Sequence, residues 1–183
     1  CDMLKVENVR KKYGNLVAVD DLSFEVADGE IFGLLGLNGA GKTTTFRMIM
    51  NLLDDYEGTI LLDNEKVSYK TTDKIGFLTE ERSLLTKLTV LEQVIYYGVL
   101  KGMPEDKIEK ELDYWLDIFK IKEYKNKKIK ELSKGNQQKI QFITAIIHHP
   151  KLLILDEPFS GLDPVNVELF KSVILKLKQE GTS

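Results

Sequence analysis

The stretch GLNGAGKTT, from Gly36 to Thr44, carries the clearest chemistry in the chain: glycine, four residues, glycine, lysine, then a hydroxyl residue. Gly36, Gly39 and Gly41 let the backbone curl until successive N–H groups converge, and a helix starting there adds its positive end. The result is a socket for a phosphate chain. Lys42 brings a mobile charge for terminal phosphates, and the Thr43 hydroxyl can ligate Mg2+. The plain alternative is a glycine turn ahead of a helix.

A second set of chemically able residues lies far downstream in LLILDEP. Asp156 closes an apolar run where a carboxylate can hold a magnesium shell, and Glu157 is placed to orient or deprotonate water. Two adjacent acids can also be no more than a polar strand end. A third stretch, ELSKGNQQKIQF, opens a helix with a serine cap and a glycine but shows no obvious nucleophile or metal ligand. ATP is the expected nucleotide, because the asparagine-lysine-x-aspartate pattern of guanine readers is absent; NKKI at Asn126 lacks the aspartate. Tyr13, near the end of an early strand, could stack on a base by its ring face.

Elements must position these groups. LKVENVRKKYG and LSFEV alternate with period two, and EIFGLLG is a short apolar run ending in glycine, which predicts strands. KTTTFRMIMNLL predicts a helix with Phe46, Ile49, Met50 and Leu53 on one side. GTILLDNEKV predicts a hairpin about Asp63–Glu65, and KIGFL and LLIL predict buried strands. Two helices follow Leu88, starting at Thr89 and Pro104, the second with Ile108, Leu112, Trp115 and Phe119 on one stripe that reads as core. IKEYKNKKIKE is expected to be a solvated connector, and a last helix is predicted over Pro164–Gln179.

The bulk numbers exclude several classes. The 183 residues, 43% hydrophobic, can bury roughly 70% of their unfolded surface, so one domain with an appended part is expected. With 26 basic and 29 acidic residues there is no global attraction to nucleic acid. The one cysteine, Cys1, supports neither a disulfide framework nor a thiol site, and a reducing compartment is expected. No apolar run reaches the ~18 to 20 residues that cross a bilayer, and Asp2, Lys5 and Glu7 do not read as a signal peptide.

Taken in order and spacing, the phosphate loop, LSKGNQQK and the acidic strand end resemble the nucleotide-binding domains of ATP-binding cassette (ABC) transporters, over nearly the whole chain. LSKGNQQK resembles the family signature, EERSLLTKLTV the segment after its glutamine loop, and SGLDP its D-loop. Drug and sodium exporter ATPase subunits are the subgroup most resembled. The resemblance implies an α/β fold: a phosphate-loop NTPase core with a RecA-like parallel sheet and flanking helices, an antiparallel β subdomain and an inserted α-helical subdomain. Residues 1–82 and 150–183 would form the ATP-binding core with its antiparallel part, and 83–149 the helical signature subdomain.

Roles follow position by position from the resemblance. Tyr13 would stack on adenine, and Gly36, Leu37, Asn38, Gly39, Ala40, Gly41, Lys42, Thr43 and Thr44 would wrap the phosphates. Thr43, Glu80 and Asp156 would serve Mg2+, and Glu157 would polarise the attacking water. Ser133, Gly135 and Asn136 would face the γ-phosphate held by a second nucleotide-binding domain in an ATP-dependent homo- or heterodimer, with Asp163 linking the two sites. The implied protein is an ATPase subunit peripheral to the cytoplasmic face of the cell membrane, powering transport through a separate membrane-spanning permease subunit. No nucleic acid partner is expected. Two alternatives stand beside it: a soluble ABC-type ATPase acting on ribosomes or DNA, and a non-hydrolytic nucleotide-dependent switch.

The chain departs from the family pattern at Glu80, where a glutamine is usual, at Lys134 and Asn136 in the signature, and at Leu37 in the phosphate loop. The family's switch histidine would follow a further strand after the D-loop helix, and Ser183 precedes both. These residues are therefore expected to be a truncated domain that hydrolyses ATP poorly. His148 and His149 precede Pro150 at the end of the signature helix, where they can meet terminal carbonyls.

Overall fold

The computed structural model describes residues 2–27, 39–78, 84–155 and 162–180. The chain divides into two compact units, Cys1–Ile75 with Leu177–Ser183, and Gly76–Lys176. Among the described residues, no helix is long and apolar enough to cross a membrane.

The first unit is built on an antiparallel sheet in the order β2 (Leu16–Ala27), β1 (Asp2–Tyr13), β3 (Glu57–Leu62), β4 (Glu65–Lys66). Alternation buries Leu4 and Val6, while Lys5 lies between them and pairs with Glu7 at 3.0 Å and Glu25 at 3.7 Å. The period-two pattern then breaks. Register slips between Val6 and Val9, where Asn8 takes φ 50° and its N–H donates to Ser23 Oγ at 2.8 Å. This bulge re-aims the strand, so that Val9 and Lys11 are both buried. Gly58 makes room for it: its φ is 96°, and a Cβ there would lie 2.6 Å from the Glu7 carbonyl oxygen.

Asp63 and Asn64 adopt φ 52° and 66°, the paired left-handed residues of a tight hairpin joining β3 to β4. α1 (Gly39–Ile49) lies against β2. The apolar run predicts a helix continuing through Met50 to Leu53, but α1 stops at Ile49. Asn51 turns left-handed at φ 59°, Leu52 N–H donates to Arg47 O at 2.8 Å and Asn51 N–H to Met48 O at 3.1 Å. That pair of bonds is a Schellman stop. The buried side of α1 consequently includes Met48 with Phe46 and Ile49, and leaves Leu52 exposed.

In the second unit α2 (Val90–Leu100), α3 (Glu105–Ile118) and α4 (Lys134–Ile146) pack together, and β5 (Ile75–Leu78) pairs with β6 (Leu152–Leu155). α5 (Pro164–Gln179) follows. The predicted stripe Ile108, Leu112, Trp115 and Phe119 is buried throughout. Phe119 meets Phe142 of α4 and Phe170 of α5 edge-on, with ring centroids 5.3 to 5.8 Å apart, and all three rings are fully enclosed. Gly98 lets α3 approach α2: a Cβ there would sit 2.6 Å from Ile108 Cδ1.

The lysine-rich connector is not simply solvated. Its backbone is paired with the segment before α2: Ile129 N–H donates to Leu88 O at 2.9 Å, Lys130 N–H to Thr86 O at 3.0 Å, and Thr89 bridges Lys128. Side-chain composition shows none of this, because the contacts are main-chain.

Candidate functional site

Two helix starts and one exposed aromatic carry most of the residues singled out by sequence. α1 begins at Gly39 and has no acidic side chain in its first turn, so nothing of its own offsets the positive end of its dipole. Gly41 is buried, Lys42 half-buried and Thr43 exposed. Thr44 is buried, and Thr45 is enclosed with its hydroxyl donating to Gly41 O at 2.7 Å. The three consecutive threonines are thus divided, and of them only Thr43 is exposed.

α4 begins in the signature-like stretch. Ser133 is its N-cap at φ −61° and ψ 161°; its hydroxyl accepts from Asn136 N–H at 3.2 Å and its carbonyl from Gln137 N–H at 2.9 Å. Among the described residues no acceptor meets the N–H groups of Lys134 and Gly135, and the first turn holds no acid. α2 is the contrast. There Val90 N–H donates to Lys127 O at 3.0 Å, Leu91 N–H to Lys125 O at 3.0 Å and Glu92 N–H to Thr89 Oγ1 at 3.1 Å, with the Glu92 carboxylate reaching back to Thr89 N–H at 3.0 Å. One helix start is consumed internally; the other offers donors to an anion.

Asp163 stands beside the start of α4. Its carboxylate accepts from Asn166 N–H at 2.8 Å and Asn166 Nδ2 at 3.1 Å, and its carbonyl accepts from Val167 N–H at 2.9 Å, which caps α5. A Cβ on Gly135 would lie 3.5 Å from Asn166 Nδ2. The structure thereby brings Ser133, Gly135, Asn136 and Asp163 together within one unit. A turn further along α4, Lys139 is buried and donates to Phe119 O at 3.3 Å. Burial pushes its ammonium down from the ordinary lysine value, while Asp163 and Glu123 work against that shift.

Tyr13 ends β1 beside the turn at Gly14 and is 45% exposed. Lys11 Nζ lies over its ring, 5.1 Å from the centroid. Gly36, Leu37, Asn38, Glu80, Asp156 and Glu157 lie outside the described residues. Tyr13 and α1 belong to the first unit, and the α4 and α5 starts to the second.

Among the described residues no cluster of three His, Cys, Asp or Glu side chains could hold a metal ion. An exposed threonine at an acid-free helix start suits Mg2+ arriving with phosphate oxygens, because Mg2+ keeps several waters and asks for only one or two protein oxygens.

A profile of the ABC transporter family matches residues 19–160. The chain belongs to that family. It is 55% identical over 181 residues to the uncharacterized ABC transporter ATP-binding protein YhaQ of Bacillus subtilis, covering 99% of this chain and 61% of YhaQ. It is 34% identical to the lipopolysaccharide export system ATP-binding protein LptB of Haemophilus influenzae, covering 98% of this chain and 77% of LptB. A solved ATP-binding subunit of an ABC transporter superposes with TM-score 0.88 at 28% identity, covering 98% of this chain and 76% of that one. The α/β fold of the family's ATPase domains is therefore the fold of this chain. The chain spans 56% to 64% of the length of the first three curated relatives it matches.

Three residues of the site escape sequence reasoning. Asn166 is bonded to Asp163 and lies next to Gly135, and the D-P-V-N spacing of a helix cap was the available signal. Lys11 and Lys139 are buried lysines, and nothing in their immediate sequence distinguishes them from solvated ones.

Proposed function

We propose that this chain is an ATP-binding and ATP-hydrolysing subunit of an ABC transporter, acting on the cytoplasmic face of the membrane and driving a separate membrane-spanning permease subunit. Two observations together support it most: within the second unit the start of α4 is acid-free with donors open among the described residues, and within the first unit α1 is acid-free at its start and carries Lys42. Both are anion sockets, and a chain with two phosphate-binding surfaces is suited to a head-to-tail dimer in which each nucleotide joins α1 of one copy to α4 of the other. Residues 1–82 and 150–183 then act as the ATP-binding core and 83–149 as the helical part.

In this reading Tyr13 stacks on adenine, and Gly36, Leu37, Asn38, Gly39, Ala40, Gly41, Lys42, Thr43 and Thr44 hold the phosphates. Thr43, Asp156 and Glu80 would hold Mg2+, which when bound neutralises charge on the phosphates. Glu157 accepts a proton as the water oxygen bonds to the γ-phosphorus; the bond to the β–γ bridging oxygen breaks, and ADP leaves. Ser133, Gly135 and Asn136 donate to the γ-phosphate of the opposing copy, and Asp163 couples the sites. Loss of that phosphate releases the dimer and moves the membrane partner.

The test is Lys42→Ala in the full-length protein, with ATP affinity read by equilibrium titration. Binding should weaken by tenfold or more, on the order of one lost charge-assisted contact. Unchanged affinity would remove the phosphate-loop assignment. Glu157→Gln should accumulate an ATP-bound dimer on size exclusion, and wild-type turnover in that variant would take Glu157 out of the reaction.

A further inference from the structure

Lys11 is one of the few buried charged residues among those described, at 7% exposure, and the roles assigned above leave it unused. The bulge at Asn8 turns it inward next to Val9. Its ammonium donates to Asp55 O at 2.5 Å, lies 3.5 Å from the Asp55 carboxylate, and sits over the Tyr13 ring. Removing an ammonium from water is costly, and these three contacts offset that cost together. Asp55 belongs to the short segment between the Schellman stop of α1 and the start of β3. The lysine therefore ties the end of β1 to the chain that leaves the phosphate-loop helix.

We propose that Lys11 is a positioning residue for nucleotide binding: it grips one face of the Tyr13 ring and presents the other face to the adenine base, in fixed relation to the segment that follows α1. The proposal rests on Tyr13 being the base platform. The geometry explains how an aromatic at the mouth of a hairpin turn, 45% exposed and followed at once by a glycine with φ 60°, keeps one orientation. One face meets a cation anchored to a carbonyl, and among the described residues no other ring or cation meets Tyr13. Ordering the platform before the base arrives lowers the entropy lost on binding.

The test is a double-mutant cycle in the full-length protein using Lys11→Met, Tyr13→Ala and the double variant, with ATP and inorganic tripolyphosphate as probes. Lys11→Met should weaken ATP binding about three- to tenfold, between the worth of an exposed and a desolvated cation–π contact, and leave tripolyphosphate affinity unchanged. In the Tyr13→Ala background it should have no further effect. Lys11→Arg, which keeps a cation against the ring, should recover most of the ATP affinity and also serves if the methionine variant does not fold. Equal weakening of ATP and tripolyphosphate, or the same loss with Tyr13 already absent, overturns the proposal and leaves Lys11 as a strand staple. If Tyr13→Ala alone leaves ATP affinity unchanged, the base-platform reading is what fails, and this proposal goes with it.

Discussion

Replacing Gly135 by alanine separates what the start of α4 does for the fold from what it does for a nucleotide. Gly135 is the second residue of the helix and does not have positive φ, so an L-residue meets no backbone strain there. Its added Cβ would touch Asn166 Nδ2 at 3.5 Å, an ordinary van der Waals contact. Alanine also has the better helix propensity, by up to about 1 kcal/mol. Thermal denaturation without nucleotide should therefore show no loss, and a rise of at most about 2 to 4 °C for a chain of this size.

The methyl group, however, stands beside the two N–H donors that have no acceptor among the described residues. Displacing a phosphate from one such donor costs about 1.5 to 3 kcal/mol, or roughly tenfold to a hundredfold in a binding constant. The full-length Gly135→Ala protein should thus bind ATP as a monomer with normal affinity through α1, but need about tenfold or more ATP to dimerise and turn over proportionately slowly. Light scattering against ATP concentration, paired with a phosphate-release assay, measures both. Wild-type dimerisation and turnover would refute the claim that this helix start meets a phosphate. A lowered melting temperature would refute the steric argument instead.

Two lysines should respond to pH with opposite signs. Hydrogen bonds to Glu109 at 2.8 Å and to Asp113 at 2.9 Å raise Lys125 above its ordinary 10.5, so its stabilisation is present below that value and lost as pH climbs through the folded-state pKa. Lys125→Met should cost about 1 kcal/mol at neutral pH, read by urea denaturation, and nothing at strongly alkaline pH. Burial lowers Lys139, so the unfolded chain binds that proton more tightly and the native protein gains stability as pH approaches 10.5 from below. The urea midpoint of wild type relative to Lys139→Met should therefore rise across that window. Gly98→Ala should destabilise by about 1 to 3 kcal/mol, because Ile108, whose Cδ1 would lie 2.6 Å away, is fully buried and has no room to retreat; an unchanged urea midpoint would contradict the close packing of α2 on α3.

What could be read from the sequence was what side chains alone encode. The stripe from Ile108 to Phe119, the Asp63–Asn64 turn and the bounds of α5 stand where pattern and turn chemistry put them, because each depends on residues close together in the chain. The end of α1 was hidden because Met50, Leu52 and Leu53 continue an apolar run, and only the left-handed backbone of Asn51 stops it. The bulge at Asn8 was hidden because it needs Gly58, on another strand, to clear a space. Lys11 and Lys139 were hidden for a similar reason: a lysine is buried by its neighbours in space, Asp55 and Tyr13 for one, Phe119 for the other.

The same limit explains why the signature-like stretch shows a helix cap in sequence but no chemistry of its own. TVLE at Thr89 and SKGN at Ser133 are both hydroxyl caps followed by three residues, and on cap chemistry alone they are equivalent. The difference lies in what meets the remaining N–H groups. At Thr89 a carboxylate closes the capping box, and two carbonyls of the lysine-rich connector, those of Lys125 and Lys127, take the next two donors. At Ser133 the residue in the carboxylate's place is Asn136, which brings no charge, and no acceptor among the described residues meets the N–H groups of Lys134 and Gly135. An acid at position 136 would compete with any arriving phosphate for the same dipole end. Asn136 departs from the family's glutamine yet keeps neutrality at the third helical position, so the departure is compatible with the anion-binding role proposed for this helix start.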